Sequence, residues 1–163
     1  MTFKLGLTGS IGMGKSTTAQ MFVQEGCALW DADAAVHRIY ASGGAAVAPI
    51  AARFPTAVKD GAVSRTRLKE IISEDQGALQ EIEKIVHPLV ARDRQEFMQN
   101  CTDDICVFDI PLLFETGGDR SMDAVVCVTV SPQLQRERVL SRGTMTEAQF
   151  DAIREKQLPD ETK

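Results

Sequence analysis

Residues 9 to 16 read Gly-Ser-Ile-Gly-Met-Gly-Lys-Ser, and these residue types at this spacing are suited to holding a chain of phosphates. Gly9, Gly12 and Gly14 permit backbone dihedrals closed to other residues and leave no Cβ to keep an anion away. The backbone N–H groups of the loop, including those of Ser10, Ile11 and Met13, can then converge on phosphate oxygens. Those of Ser16 and Thr17, at the start of a helix, join them. Lys15 can reach the β- and γ-phosphates, and the Ser16 hydroxyl can ligate Mg²⁺. The implied ligand is a nucleoside triphosphate.

Such a loop works only between a strand and a helix. Phe3–Thr8 reads as a short buried strand, and residues 16–23 read as a helix with Ala19, Phe22 and Val23 on one face and Gly26 as its stop. Residues 27–30 form a second apolar run ending at Asp31-Ala32-Asp33. Further buried strands are expected at 105–108, ending in Asp109, and at 124–130. Apolar runs separated by helical stretches are what a parallel sheet covered on both faces produces. Residues 34–100 read as mostly helical, with turn chemistry at Ser42-Gly43-Gly44 and Asp60-Gly61. Ser64 can cap a helix, Ser73-x-x-Gln76 has the form of a capping box, and His87-Pro88 interrupts the helical pattern. Ser131-Pro132 and Thr146-x-x-Gln149 each open a further helix. The expected fold is α/β, a doubly wound P-loop NTPase domain with a parallel central sheet and a helical insertion. Only four strands are convincing, so either the sheet is small or a C-terminal strand and helix lie beyond Lys163.

Ligands of open parallel sheets sit at the carboxyl ends of the strands, which directs attention to Asp31, Asp33 and Asp109. Phosphoryl transfer needs positioning, charge neutralisation and a carboxylate to orient the attacking hydroxyl. Asp33 is the candidate base, or else a helix cap; Asp31 can order Mg²⁺ waters or cap the same helix. Asp109 closes a strand where an Mg²⁺ ligand acting through water belongs, or simply terminates it. Pro111-Leu112-Leu113-Phe114-Glu115 forms an apolar patch beside the site or ordinary core. Arg136, Arg138 and Arg142 bunch on one predicted helix and its following turn, and Arg138 and Arg142 share a face. Their planar guanidinium groups suit phosphate oxygens; the alternative is a solvated face balanced by Glu137 and Glu147. His87 contacts substrate or serves as a structural histidine at a kink.

Bulk properties narrow the field. With 163 residues, 44% of them hydrophobic, the chain supports one main core and at most a small appended unit. A net charge of −5 gives no global basic field for nucleic acid. No stretch approaches the roughly 20 apolar residues of a membrane span, and no signal peptide precedes the first strand, so a cytoplasmic protein is expected. Cys27, Cys101, Cys106 and Cys127 show no metal-ligand spacing and read as reduced thiols.

Four blocks together, Leu7–Ser16, Asp31-Ala32-Asp33, His87-Pro88-Leu89 and Pro111–Glu115, resemble the dephospho-coenzyme A kinase family in order and spacing. The phosphate loop is shared with many proteins; the combination is specific. The resemblance implies ATP-dependent phosphorylation of the ribose 3′-hydroxyl of dephospho-coenzyme A, with ATP and Mg²⁺ at Gly9–Thr17 and Asp33 as base. It implies acceptor contacts from Asp33, His87, Leu112 and Glu115, and a mobile lid carrying Arg138 and Arg142. Lys15 and Arg142 join Asp33 as catalytic candidates, and Ser16 and Asp109 as metal ligands. The corresponding division is 1–33 and 101–132 as nucleotide-binding core, 34–100 as substrate-binding insertion, 133–150 as lid and 151–163 returning to the core. Family members continue past Lys163 with elements that help enclose the adenine, and Trp30 stands where an aliphatic strand residue is expected. The rival readings are another P-loop small-molecule or nucleoside-monophosphate kinase, and a GTP-hydrolysing switch. The switch's Asn-Lys-x-Asp signature is impossible here, because Asn100 is the only asparagine and Cys101 follows it.

Overall fold

In the computed structural model, which describes residues 2–163, the strand that feeds the glycine loop is paired on both of its edges. β1 (Phe3–Thr8) lies between β5 (Ile105–Asp109) and β6 (Ala124–Cys127), and β2 (Ala28–Asp31) flanks β5. The order is β2-β5-β1-β6, all parallel. Leu7 pairs with Asp109, and Asp31 with Asp109, so the carboxyl ends of three strands lie at one level. Alternation along β1 sends Leu5 and Leu7 toward α1 (Lys15–Gln24), where Leu7, Ala19 and Val107 make a dry cluster with Phe22 and Leu29 against it. Gly6 faces the other way. A Cβ there would stand 2.8 Å from Leu113 Cδ2, so the loop after β5 comes against the sheet at that point. Val23, expected on the inner face of α1, is exposed.

The chain divides into two compact units, one comprising residues up to Asp31 together with Cys101–Lys163, the other Ala32–Asn100. The first also holds α6 (Pro132–Ser141) and α7 (Glu147–Lys156). Both begin as the sequence indicates: Ser131 accepts from the Leu134 N–H at 3.3 Å, and Thr146 and Gln149 close a reciprocal capping box. Trp30 is 3% exposed, its ring centroid 6.2 Å from that of Phe108 on the paired strand, which makes it a core residue. The bend at 103–104 brings Cys101 back beside Cys106 of β5, their Cα atoms 7.3 Å apart, and Cys27 and Cys127 are free.

The second unit contains α2 (Ala32–Tyr40), α3 (Val47–Arg53), α4 (Arg65–Glu74) and α5 (Ala78–Asn100) around Ile39, Ile50, Phe54, Leu68, Ile82 and Val86. Three local expectations change there. Asp60 and Gly61, at φ 52° and 78°, turn a small antiparallel hairpin, β3 (Val58–Lys59) with β4 (Ala62–Val63), inside a stretch that reads as helical. Pro88 lies within α5 and does not end it. Val86 on one side and Leu89 and Val90 on the other pack into the same core, and that burial outweighs the proline's missing hydrogen bond. Ser73 caps nothing: its hydroxyl donates to the Glu70 carbonyl at 2.6 Å, while Asp75 accepts from the Gly77 N–H ahead of α5. No helix among the described residues is long and apolar enough to cross a membrane.

Trp30→Ala should destabilise the chain by about 3–5 kcal/mol, read as a lower urea midpoint at unchanged slope by circular dichroism. A loss below about 1 kcal/mol would mean that the indole is not packed as described.

Candidate active site

The glycine loop is held open by its neighbours as much as by its own dihedrals. Gly14 caps α1 at φ 95° and offers no side chain to the first-turn N–H groups of Lys15, Ser16 and Thr17, which leaves that helix end suited to an anion. Gly12 has φ 76°, and a Cβ on it would stand 2.5 Å from Val139 Cγ2 of α6. Gly9 is required for a different reason than the sequence suggests. Its φ is not positive, but a Cβ would meet the Val128 carbonyl oxygen at 2.8 Å. The loop is therefore wedged between the segment after β6 and α6. Met13 is 5% exposed, and its sulfur receives the Val130 N–H, so its side chain is structural.

Beneath the loop Lys15 Nζ is ion-paired with Asp109 Oδ1. The Asp109 side chain is 4% exposed and that of Lys15 17%. A carboxylate so buried requires a partner, and the pair joins the end of β5 to the start of α1. Ser16 and Thr17 are exposed at the helix start. Asp109 and the Ser16 hydroxyl both offer oxygen donors, the type Mg²⁺ takes. No cluster of three or more His, Cys, Asp or Glu suited to a metal occurs among the described residues.

The three arginines separate by environment. Arg136 pairs with Glu147 and stands 3.9 Å from Asp151, both on α7. Arg138 and Arg142 have no ion pair among the described residues. Arg138 Nη1 lies 3.5 Å from the position a Gly14 Cβ would occupy, which puts a guanidinium beside the loop. Arg142 is exposed at the C-terminal end of α6.

A family model described as dephospho-CoA kinase matches residues 3–163. The chain belongs to the dephospho-CoA kinase family. A Ruegeria pomeroyi dephospho-CoA kinase is 71% identical over the whole chain, which covers 83% of that protein. One from Cereibacter sphaeroides is 59% identical over 99% of this chain and 82% of its own length. Among solved structures, TT1252 from Thermus thermophilus superposes with a TM-score of 0.85 at 28% identity, covering 99% of this chain and 83% of that one. The dephospho-CoA kinase of Campylobacter jejuni shares the fold, with a TM-score of 0.67 over 96% of this chain and 81% of that one, at 24% identity.

Other residues singled out for the kinase site from sequence are placed as follows. Asp33 is exposed in the first turn of α2 and is not its cap, since the helix starts at Ala32. That helix is seated by Ala35 and Ile39 on its buried face and by Arg38, which donates to Asp93 of α5 at 2.6 and 3.1 Å. His87 is exposed on α5 at the edge of a groove of about 320 Å³ lined by Val36, Tyr40, Leu68, Ile72 and Val86, with Arg65 and Lys69 at its rim. Burial there raises the Tyr40 hydroxyl above the ordinary tyrosine value. Leu112 is exposed. Glu115 is engaged within its own unit: it accepts the Leu158 N–H at 2.9 Å and lies 3.7 Å from Lys163 Nζ.

Four residues of this kinase that contact the loop escape sequence reasoning, among them Lys163, whose Nζ donates to Ser10 Oγ at 2.7 Å. Gln135 donates to the Ile11 carbonyl at 2.8 Å, Gln157 accepts the Ile11 N–H at 3.1 Å, and Asp160 accepts from Ser10 Oγ at 2.9 Å. Gln135 carries a faint signal, being polar yet four residues before buried Val139 on the inner face of α6. Gln157, Asp160 and Lys163 carry none.

Gly12→Ala should cost about 1–2 kcal/mol from its positive φ, with a further loss from the Val139 contact. In a Val139→Ala background, which has its own cavity cost but lacks the clashing methyl, the same Gly12→Ala change should cost only the first part. Thermal melts of Gly12→Ala beside the parent and of the double variant beside Val139→Ala check this; equal losses would mean that α6 does not press on the loop.

Proposed function

We propose that this chain transfers the γ-phosphoryl group of ATP to the ribose 3′-hydroxyl of dephospho-coenzyme A, giving coenzyme A and ADP, as a cytoplasmic enzyme acting on small molecules. The observation that carries the reading is the glycine loop seated at the carboxyl end of a parallel sheet over the Lys15–Asp109 pair, in a chain that matches its family from residue 3 to 163.

The phosphates of ATP lie along Gly9–Thr17, with backbone N–H groups of the loop and the α1 N-terminus turned to them. Lys15 adds a mobile positive charge that Asp109 holds at the floor until phosphate oxygens compete for it. Ser16 and Asp109, the latter directly or through water, are the residues that would hold Mg²⁺, which when bound supplies neutralisation of the phosphate charge. Asp33 orients the 3′-hydroxyl and accepts its proton as the oxygen–phosphorus bond forms and the β,γ-bridging bond breaks. The Ala32–Asn100 unit takes the acceptor. Its apolar groove, edged by Arg65, Lys69 and His87, suits a molecule with an apolar arm beside a diphosphate. Residues 133–150 act as a lid: Arg138 and Arg142 draw in to the transferring phosphoryl group, while Arg136 keeps α6 tied to α7 through Glu147. Closure excludes water, which favours transfer over hydrolysis. Leu112, exposed after β5, is a contact for the acceptor, and Glu115 acts through the segment it anchors.

ADP release should appear with Mg·ATP and dephospho-coenzyme A and be absent with shikimate or AMP, the product gaining one phosphate by mass. Asp33→Asn should lower kcat by roughly 10²–10⁴ while ATP affinity, by calorimetry, stays unchanged. Turnover with another acceptor, or a fully active Asp33→Asn, would overturn the reading.

A further inference from the structure

The segment that follows α7 is fastened to the phosphate loop by a set of side-chain hydrogen bonds. Ile11 is gripped at both ends of its backbone: its N–H donates to Gln157 Oε1 at 3.1 Å, and its carbonyl accepts from Gln135 Nε2 at 2.8 Å. The neighbouring Ser10 hydroxyl donates to Asp160 Oδ1 at 2.9 Å and accepts from Lys163 Nζ at 2.7 Å. The second oxygen of Asp160 accepts from Thr129 Oγ1 at 2.7 Å, on the stretch after β6.

These groups are sheltered. Gln135 is 3% and Ser10 7% exposed, and the Lys163 side chain is wholly buried. A buried ammonium demands anionic partners, and Lys163 has two within reach, Asp160 at 3.6 Å and Glu115 at 3.7 Å. Glu115 also accepts the Leu158 N–H, so the carboxylate after β5 and the hydroxyl of the loop are tied to one short stretch of chain. Gln135 brings in α6, the helix that carries Arg138.

An anion-binding loop works when its N–H groups already converge before the anion arrives, because each peptide that must be reoriented subtracts from the affinity. Gly9, Gly12 and Gly14 make this loop pliable. A clamp on the Ser10–Ile11 stretch between the first two glycines is the compensating device. We propose that Gln157 and Asp160 are positioning residues of the nucleotide site: together with Gln135 they fix the Ser10–Ile11 peptide and hold the loop in its phosphate-receiving shape. The inference rests on the reading that the phosphates of ATP occupy this loop, and it extends that reading to residues 146 and 150 positions away in sequence.

The test is calorimetric titration of Mg·ATP into the full chain and into Gln157→Met, Asp160→Asn, Ser10→Ala and Asp160→Asn/Ser10→Ala, with KM for both substrates measured in parallel. Gln157→Met keeps the volume and removes the amide, and with it the Oε1 acceptor of the Ile11 N–H. The Kd and KM for ATP should rise roughly threefold to tenfold in each single variant, the yield of one lost hydrogen bond or, in Asp160→Asn, of one stripped of its charge. KM for dephospho-coenzyme A should stay within about twofold, because the loss falls on ATP binding alone. The double variant should lose less than the sum of the two single losses, since both changes act on the Ser10–Asp160 contact while the contacts each residue makes separately, to Thr129 and Lys163, are lost in one of them only. Cys127 provides a readout that needs no nucleotide. Burial first, and then the Asp160 charge, raise its thiol above the ordinary cysteine value, so Asp160→Asn should speed its alkylation, located by peptide mass. Unchanged ATP affinity in Gln157→Met and Asp160→Asn, additive losses in the double variant, or equal losses for both substrates would overturn the proposal. Failure of the parent chain to bind Mg·ATP would overturn the nucleotide reading and this inference with it.

Discussion

A strand paired on both edges is the constraint on which the rest of this molecule depends. β1 lies between β5 and β6, so its carboxyl end cannot shift without breaking two hydrogen-bonded ladders. The glycine loop starts from that fixed point, and Gly9 lies so close to the Val128 carbonyl that a single added carbon would not fit. Lys15 then returns the chain to the sheet by pairing with Asp109 at the end of the neighbouring strand. A phosphate cradle built from soft residues is in this way bounded by rigid ones.

The same division of labour recurs in the helical unit. α5 runs from Ala78 to Asn100 through Pro88, because apolar side chains on either side of the proline are buried in a common core. α2 rests on that helix through Arg38 and Asp93, and its first turn carries exposed Asp33. The exposed side chain of Asp33 is thus carried on a helix whose position is set by the buried Ala35 and Ile39 and by the Arg38–Asp93 pair.

Much of this was legible in the sequence, and the reasons are local. The four sheet strands announce themselves as apolar runs, and the caps at Ser64, Ser131 and Thr146 as a side chain next to the N–H groups it satisfies. Where reading failed, a nonlocal term competed with a local one. Asp60-Gly61 had turn chemistry, but its two-residue strands are too short to show alternation. Pro88 had a local cost that tertiary burial outweighed. Ser73 had a plausible capping pattern and found a carbonyl of its own helix first. Arg136, Arg138 and Arg142 could not be ranked from spacing alone; the partners of Arg136 on α7 separate it from the other two.

The sequence by itself determined the phosphate-binding loop, the parallel α/β class and the family, because glycine, lysine and serine at fixed spacing between a strand and a helix dictate their own geometry through bonds a few residues long. Only the tertiary structure decided what holds that loop in place. Gln135, Gln157, Asp160 and Lys163 are ordinary polar residues in helix or terminal segments, and nothing in their neighbours marks them. They acquire a role when the packing of α6 and the path after α7 bring them within hydrogen-bond distance of Ser10 and Ile11. Hydrogen bonds and buried charges act over about 3 Å in space, and separation along the chain places no limit on which residues that distance joins.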